Sequence, residues 1–123
     1  MKVTTFFLVV GLLPLAIVSS TDAEAKEPAA DIYKTYCTQC HGSQGNGKGI
    51  NIRDMSVQPR DHTDAKAMSA RSDQDLAKVI KEGGLAINKS VLMPPWGAVL
   101  SDEEVSDLVQ YLRRTLCKCS YGH

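Results

Sequence analysis

The sequence predicts an all-α domain, a small helical bundle whose long loops wrap around a bound group. Three observations carry that reading. Apolar residues recur at helical spacing in three separate stretches, and no stretch shows convincing strand alternation. Capping-box signals open two of those stretches. The chain has one Trp, and both of its Phe, Phe6 and Phe7, lie near the N-terminus, so side chains alone would make a thin core.

The first residues read as an address. Lys2 precedes an apolar stretch from Phe6 to Val18, broken only by Gly11 and Pro14. A small and polar run follows and ends in Ala23-Glu24-Ala25, a pattern suited to signal peptidase. The apolar stretch is short for a membrane span, which needs about 20 residues. Residues 1–25 are therefore expected to be a signal peptide, with an uncleaved anchor as the alternative. The mature domain is expected to be 26–123, exported to the periplasm or another outer compartment, with no stable membrane span.

In that domain a first helix is expected from Asp31, with Ile32, Tyr33 and Tyr36 on one face and Asp31 as N-cap or first-turn carboxylate. It runs into Cys37. Residues 42–49 hold four glycines in eight and form a loop that continues through Pro59. Thr63 is expected to cap a short helix over 64–69. Ser72 and Asp75 form a capping box before Leu76, Val79 and Ile80, and Gly83-Gly84 ends that helix. A second loop passes through Met93-Pro94-Pro95. Ser101 and Glu104 then open a last helix with Val105, Leu108, Val109, Leu112 and Leu116 as its apolar stripe. Arg113, Arg114 and Lys118 near its end suit the helix dipole.

Roughly 20 residues of little structure between His41 and Thr63 would be unusual in a compact domain unless they wrap something. Cys37-Thr38-Gln39-Cys40-His41 names a candidate, because C-x-x-C-H is the attachment signature of c-type haem. Cysteines one helical turn apart can both reach the porphyrin edge, and the next residue can present an imidazole nitrogen to iron. A thioredoxin-like redox pair would need a βαβ pattern, which the sequence lacks. A zinc site completed by Cys117 and Cys119, or a plain disulfide, are the remaining alternatives.

The second axial ligand decides between a closed electron-transfer haem and an open one that binds gas or peroxide. The candidates are Met55, Met68, Met93, His62, His123, Cys117 and Cys119. Met93 is favoured, because Pro94 biases it toward an extended backbone and Pro95 stiffens the next step. Leu92 and Trp96 flank it, and the Trp96 indole N–H could meet a haem propionate, as could Arg60.

These residues resemble the class I c-type cytochromes, in particular the small bacterial single-haem proteins. The resemblance is carried by 36–42 (Tyr-Cys-Thr-Gln-Cys-His-Gly), Gly45-Asn46-Gly47, 92–97 (Leu-Met-Pro-Pro-Trp-Gly) and the helix opened by 100–104. It implies first and last helices crossing beside one covalently bound haem c, thioether links at Cys37 and Cys40, and iron held by His41 and Met93. It also implies an electron carrier rather than an enzyme, working with redox partner proteins through a partly exposed haem edge. A haem-based ligand sensor and a redox subunit of a larger complex remain as alternatives.

The tail departs from that pattern. A disulfide between residues two apart is strained, so Cys117 and Cys119 suggest a bond to a partner chain, a redox-active or metal-binding pair, or a thiolate that replaces Met93. Charge excludes one class of partner. Removing residues 1–25 takes away Lys2, Asp22 and Glu24 and leaves 13 basic against 12 acidic residues, too balanced for nucleic-acid binding.

Overall fold

The computed structural model describes residues 28–123. The expected signal peptide lies outside the described residues. Within them the chain is helical, and no strand is present.

The first helix begins two residues earlier than its apolar pattern suggests. Pro28, extended at φ −60° and ψ 138°, precedes α1 (Ala29–Ile32) and places its carbonyl 2.9 Å from the amide of Asp31 and 3.1 Å from that of Ile32. Asp31 therefore sits in the first turn, where a carboxylate favours the dipole. The helix widens into a π-helical stretch over Tyr33–Cys37 and resumes as α2 (Thr38–His41).

α3 (Ala65–Ser69) is capped by Asp64, not by Thr63. The Asp64 side chain accepts from the Ala67 amide at 3.0 Å, whereas the Thr63 amide and hydroxyl both donate to Asp61. Either residue type can cap, and the better-placed oxygen belongs to the residue whose backbone is extended next to the first turn. α4 (Asp73–Glu82) and α5 (Asp102–Tyr111) open with the two expected capping boxes, Ser72 with Asp75 and Ser101 with Glu104. A 3₁₀ turn over Gly84–Ile87 follows α4, and a π-helical stretch over Leu112–Cys117 prolongs α5.

α1 and α4 both pack on α5. Burying the apolar stripe of α5 against two partners is what makes a bundle of such short helices possible. Ile32, Met68, Val105 and Leu108 are the largest fully buried side chains, joined by Tyr33, Leu76, Ile80, Leu100, Val109 and Leu112. Tyr33 and Tyr111 meet with ring centroids 5.5 Å apart, which ties the first helix to the last.

Arg113 does more than face the dipole. It is 5% exposed, and its Nε donates to Asp73 at 2.8 Å while Nη1 donates to the Met68 carbonyl at 2.8 Å. Nη2 donates to the Arg71 carbonyl. One guanidinium thus fastens the α3–α4 junction to the end of the last helix, with each of its three nitrogens donating. The exposed pair Lys81–Asp102 at 2.6 Å contributes less, since solvent screens it.

Leu108→Ala should cost about 2–5 kcal/mol of folding stability, because it empties a fully enclosed site. Ser101→Ala should cost about 1 kcal/mol, the worth of one cap. Denaturant unfolding of the haem-loaded protein checks both, and the opposite order would contradict this account of the packing.

Candidate cofactor site

α2 ends at His41, and Gly42 then holds φ 81° and ψ 152°, a region open in practice only to glycine. The chain reverses there, and the glycine-rich loop runs back over the helix end. Gly47 donates its amide to the His41 carbonyl at 2.8 Å, Gly49 to Cys40 at 3.0 Å and Asn51 to Gln39 at 3.0 Å. Carbonyls that a helix terminus leaves unpaired are satisfied in this way. The loop is unwound but fully tied.

The same loop then passes the His41 side chain. The Arg60 carbonyl lies 2.9 Å from Nδ1 of His41. A carbonyl only accepts, so Nδ1 carries the proton and Nε2 keeps its lone pair free for a metal. Burial lowers the His41 pKa, partly offset by that hydrogen bond, which keeps the ring neutral and able to ligate.

His62 forms the next layer. Its ring stacks on His41 with centroids 4.2 Å apart and planes inclined by 16°. Nδ1 of His62 shares a 3.0 Å hydrogen bond with the Tyr33 hydroxyl, and the His62 amide donates to the Gly45 carbonyl at 2.6 Å. Burial first, and then neighbouring His41, push the His62 pKa down to about 3, so this ring too is neutral. Burial chiefly raises the Tyr33 hydroxyl, which stays protonated.

Cys37 and Cys40 follow one turn apart, both half-buried and neither in a disulfide. Burial, and then the neighbouring Cys40, push the Cys37 thiol up to about 12. Beside them opens a cavity of about 360 Å³, within the usual range of small-molecule sites. Cys37, Cys40 and His41 share its lining with Tyr36, with the 55–62 segment, with Leu76, Val79 and Ile80 of α4, and with Leu108 and Leu112 of the last helix.

Met93 is half-buried and also lines this cavity. Its loop is fastened to the end of α4 by backbone bonds: Gly84 donates to the Met93 carbonyl at 3.0 Å, and Trp96 and Gly97 donate to Ile80 and Lys81, each at 3.0 Å. Gly83 makes the approach possible. It holds φ 82° and ψ 177°, and a Cβ there would lie 2.8 Å from the Met93 carbonyl oxygen. The two glycines that end α4 therefore also seat the Met93 loop, which adds to the stiffness of Pro94-Pro95.

The remaining candidates fall into two groups. Met55 and Met68 line the cavity, and so does His62, but His62 lies against the His41 ring rather than apart from it. Cys117, Cys119 and His123 do not line it. The tail cysteines are instead joined to each other, with Cα atoms 5.2 Å apart, because Lys118 takes a left-handed conformation at φ 50° that folds the chain back. This corrects the expectation that an intrachain pair is unfavourable, and a bond from either sulfur to a partner chain would require opening it. It also removes the four-cysteine zinc reading. Among the described residues no group of three or more His, Cys, Asp or Glu is arranged to hold a metal ion.

Arg60 and Trp96 both line the cavity, joined by Arg71 and Lys89, two cations the sequence reading did not single out. It also missed the Tyr33–His62 support and the second use of Gly83. Arg113 carried a visible signal, since it lies beside Val109 and Leu112 on the apolar stripe, where a dipole partner need not be.

The residues fit a covalently held haem. The cavity is apolar, two thiols stand at helical spacing on its wall, and an imidazole is oriented with Nε2 free. Gly83→Ala should shift the Met93 loop and cost about 1–3 kcal/mol, the scale of a side chain forced into a glycine-only region. Unfolding of the haem-loaded variant checks this, and an unchanged midpoint would contradict the role given to Gly83.

A family model described as "Cytochrome C oxidase, cbb3-type, subunit III" matches residues 24–112. Among solved structures, KustC0563 c-type cytochrome is 28% identical with a TM-score of 0.57, over 72% of this chain and 96% of that one. A chain of the Kuenenia stuttgartiensis reducing HAO-like protein complex Kustc0457/Kustc0458 is 28% identical with a TM-score of 0.55, over 74% of this chain and 42% of that one. The c-type cytochrome NirC shares the fold at 20% identity and a TM-score of 0.51, over 70% of this chain and 85% of that one. No curated protein matches the chain. With a family match across most of the chain, and a cavity walled by Cys37, Cys40 and His41, the chain belongs to the cbb3-type cytochrome c family, a group of class I c-type cytochromes that are haem proteins of electron transfer.

Proposed function

We propose that the protein is an exported electron carrier with one haem, joined by thioethers at Cys37 and Cys40, with His41 and Met93 as its axial ligands. The observation that carries this reading is the cavity itself. A thiol pair, a neutral imidazole with its outer nitrogen occupied by the Arg60 carbonyl, and a tethered methionine line one apolar space. Haem, when bound, supplies the one-electron couple.

The chain's own residues hold that couple and keep it dry. Cys37 and Cys40 would hold the porphyrin edge through thioether bonds, one turn apart on the cavity wall. Nδ1 of His41 holds its proton on the Arg60 carbonyl and keeps the ring from rotating. The thioether of Met93 would serve as the second ligand to iron and, with burial, would favour the ferrous state and a fairly positive potential. Arg60, Arg71 and Lys89 offer cationic partners for the propionates. Val57 and Leu92 line the cavity while 43% and 55% exposed, an apolar rim at which an electron can pass to a partner.

Export rests on the Ala23-Glu24-Ala25 site. No helix among the described residues is long and apolar enough to cross a membrane. A second reading, a redox subunit of a larger assembly, is favoured by the family description and by the likeness to a chain of the HAO-like complex.

The mass of the mature protein is expected to equal residues 26–123 plus one haem that survives acid denaturation. A haem lost to acid, or a mass that retains residues 1–25, would contradict the attachment or the cleavage respectively. Met93→Ala should keep the haem but open the iron, so that carbon monoxide binds the reduced variant fully and rapidly while the parent resists it. The potential should fall in the same variant. An unaltered spectrum and potential would rule Met93 out.

A further inference from the structure

The last turn of the chain carries a sulfur site that the haem does not use. Cys117 is buried and Cys119 half-buried, and their disulfide stands away from the cavity lining. The bridge does little to hold the fold. A disulfide stabilises chiefly by closing a loop in the unfolded chain, and that gain is smallest when a single residue lies between the cysteines. The end of the last helix is already fixed by Leu108, Val109 and Leu112 and by the Arg113 network. Closing the bridge also holds Lys118, a residue with a Cβ, at φ 50° and ψ 45°, a region that disfavours such residues.

The two sulfurs have unlike surroundings. Sγ of Cys119 lies 3.7 Å from Nη1 of Arg113, whose guanidinium is held in place by Asp73 and by the carbonyls of Met68 and Arg71. Sγ of Cys117 lies 3.5 Å from the Arg113 carbonyl and 3.8 Å from that of Cys119, two groups that only accept. After reduction the first position suits a thiolate and the second a protonated thiol. One arginine thus offers its cation to one sulfur and its carbonyl to the other.

We propose that Cys117 and Cys119 form a reversible thiol–disulfide centre that exchanges two electrons with a protein dithiol. A thiolate of the partner attacks Sγ of Cys119, the more accessible sulfur. The S–S bond breaks, and its electron pair passes to Cys117, which takes up a proton and keeps it in a hydrogen bond to the Arg113 carbonyl. The partner's second thiolate then attacks its own sulfur in the mixed disulfide and releases Cys119 as a thiolate beside the Arg113 guanidinium. The partner leaves oxidised to a disulfide and this chain leaves reduced. The partner gives up two protons, of which Cys117 keeps one and solvent takes the other. The reverse sequence reoxidises the pair.

The test uses the native haem-loaded protein. Dithiothreitol at neutral pH, followed by iodoacetamide and peptide mass mapping, should place two alkyl groups on the C-terminal peptide while the fold stays intact by circular dichroism. Oxidised dithiothreitol should close the bridge again. A bridge that opens only once the protein is unfolded would overturn the proposal. In Cys117→Ser the remaining Cys119 should alkylate about tenfold faster than the remaining Cys117 in Cys119→Ser, the ratio that one unit of thiol pKa gives. Equal rates would overturn the role of Arg113. The readout is the mass of a sulfur-bearing peptide, so it is independent of which residues ligate the iron.

Discussion

One apolar volume serves this protein twice. Tyr33, Met68, Leu76, Ile80, Leu108 and Leu112 belong at once to the packed core and to the cavity wall. A domain of this size buries only a modest share of its surface, and its helices are too short to be stable alone. Filling the cavity with a large flat ligand completes a core that the side chains leave open. This constraint explains why the loops are long. They are the remaining walls, and they are tied to helix ends by backbone bonds such as those of Gly47, Gly49, Asn51, Trp96 and Gly97.

The two residues proposed as axial ligands are positioned by that same economy. The loop that satisfies the carbonyls of Gln39, Cys40 and His41 goes on to present the Arg60 carbonyl to the His41 ring. Closing the helix end and orienting the imidazole are therefore one structural event. On the other side, the glycines that stop α4 let the Met93 loop approach its backbone. His62 and Tyr33 add a neutral stack behind His41, which fills space without placing a charge beside the His41 ring.

Much of this was legible in the sequence, for reasons that can be named. Both capping boxes are local, since Ser72 with Asp75 and Ser101 with Glu104 interact within one turn. The haem motif is equally local. Features that depend on distant contacts were hidden. Nothing near His62 announces Tyr33, 29 positions away, and nothing near Gly83 announces the Met93 carbonyl. Arg113 signalled burial by its place on the apolar stripe, but the residues it binds, Met68, Arg71 and Asp73, are brought to it only by the fold. The tail was misjudged for a local reason: pairing Cys117 with Cys119 depends on a left-handed Lys118, which its side chain does not advertise.

The ligation of iron by His41 and Met93 is the claim on which the carrier reading turns. Proton NMR of the reduced protein, with the methionine methyl groups carbon-13 labelled, tests it most directly, because a methyl held over the porphyrin is shifted far upfield by the ring current. One methionine methyl should appear there and vanish in Met93→Leu. An upfield methyl that survives this substitution, or none at all in the parent protein, would contradict the assignment.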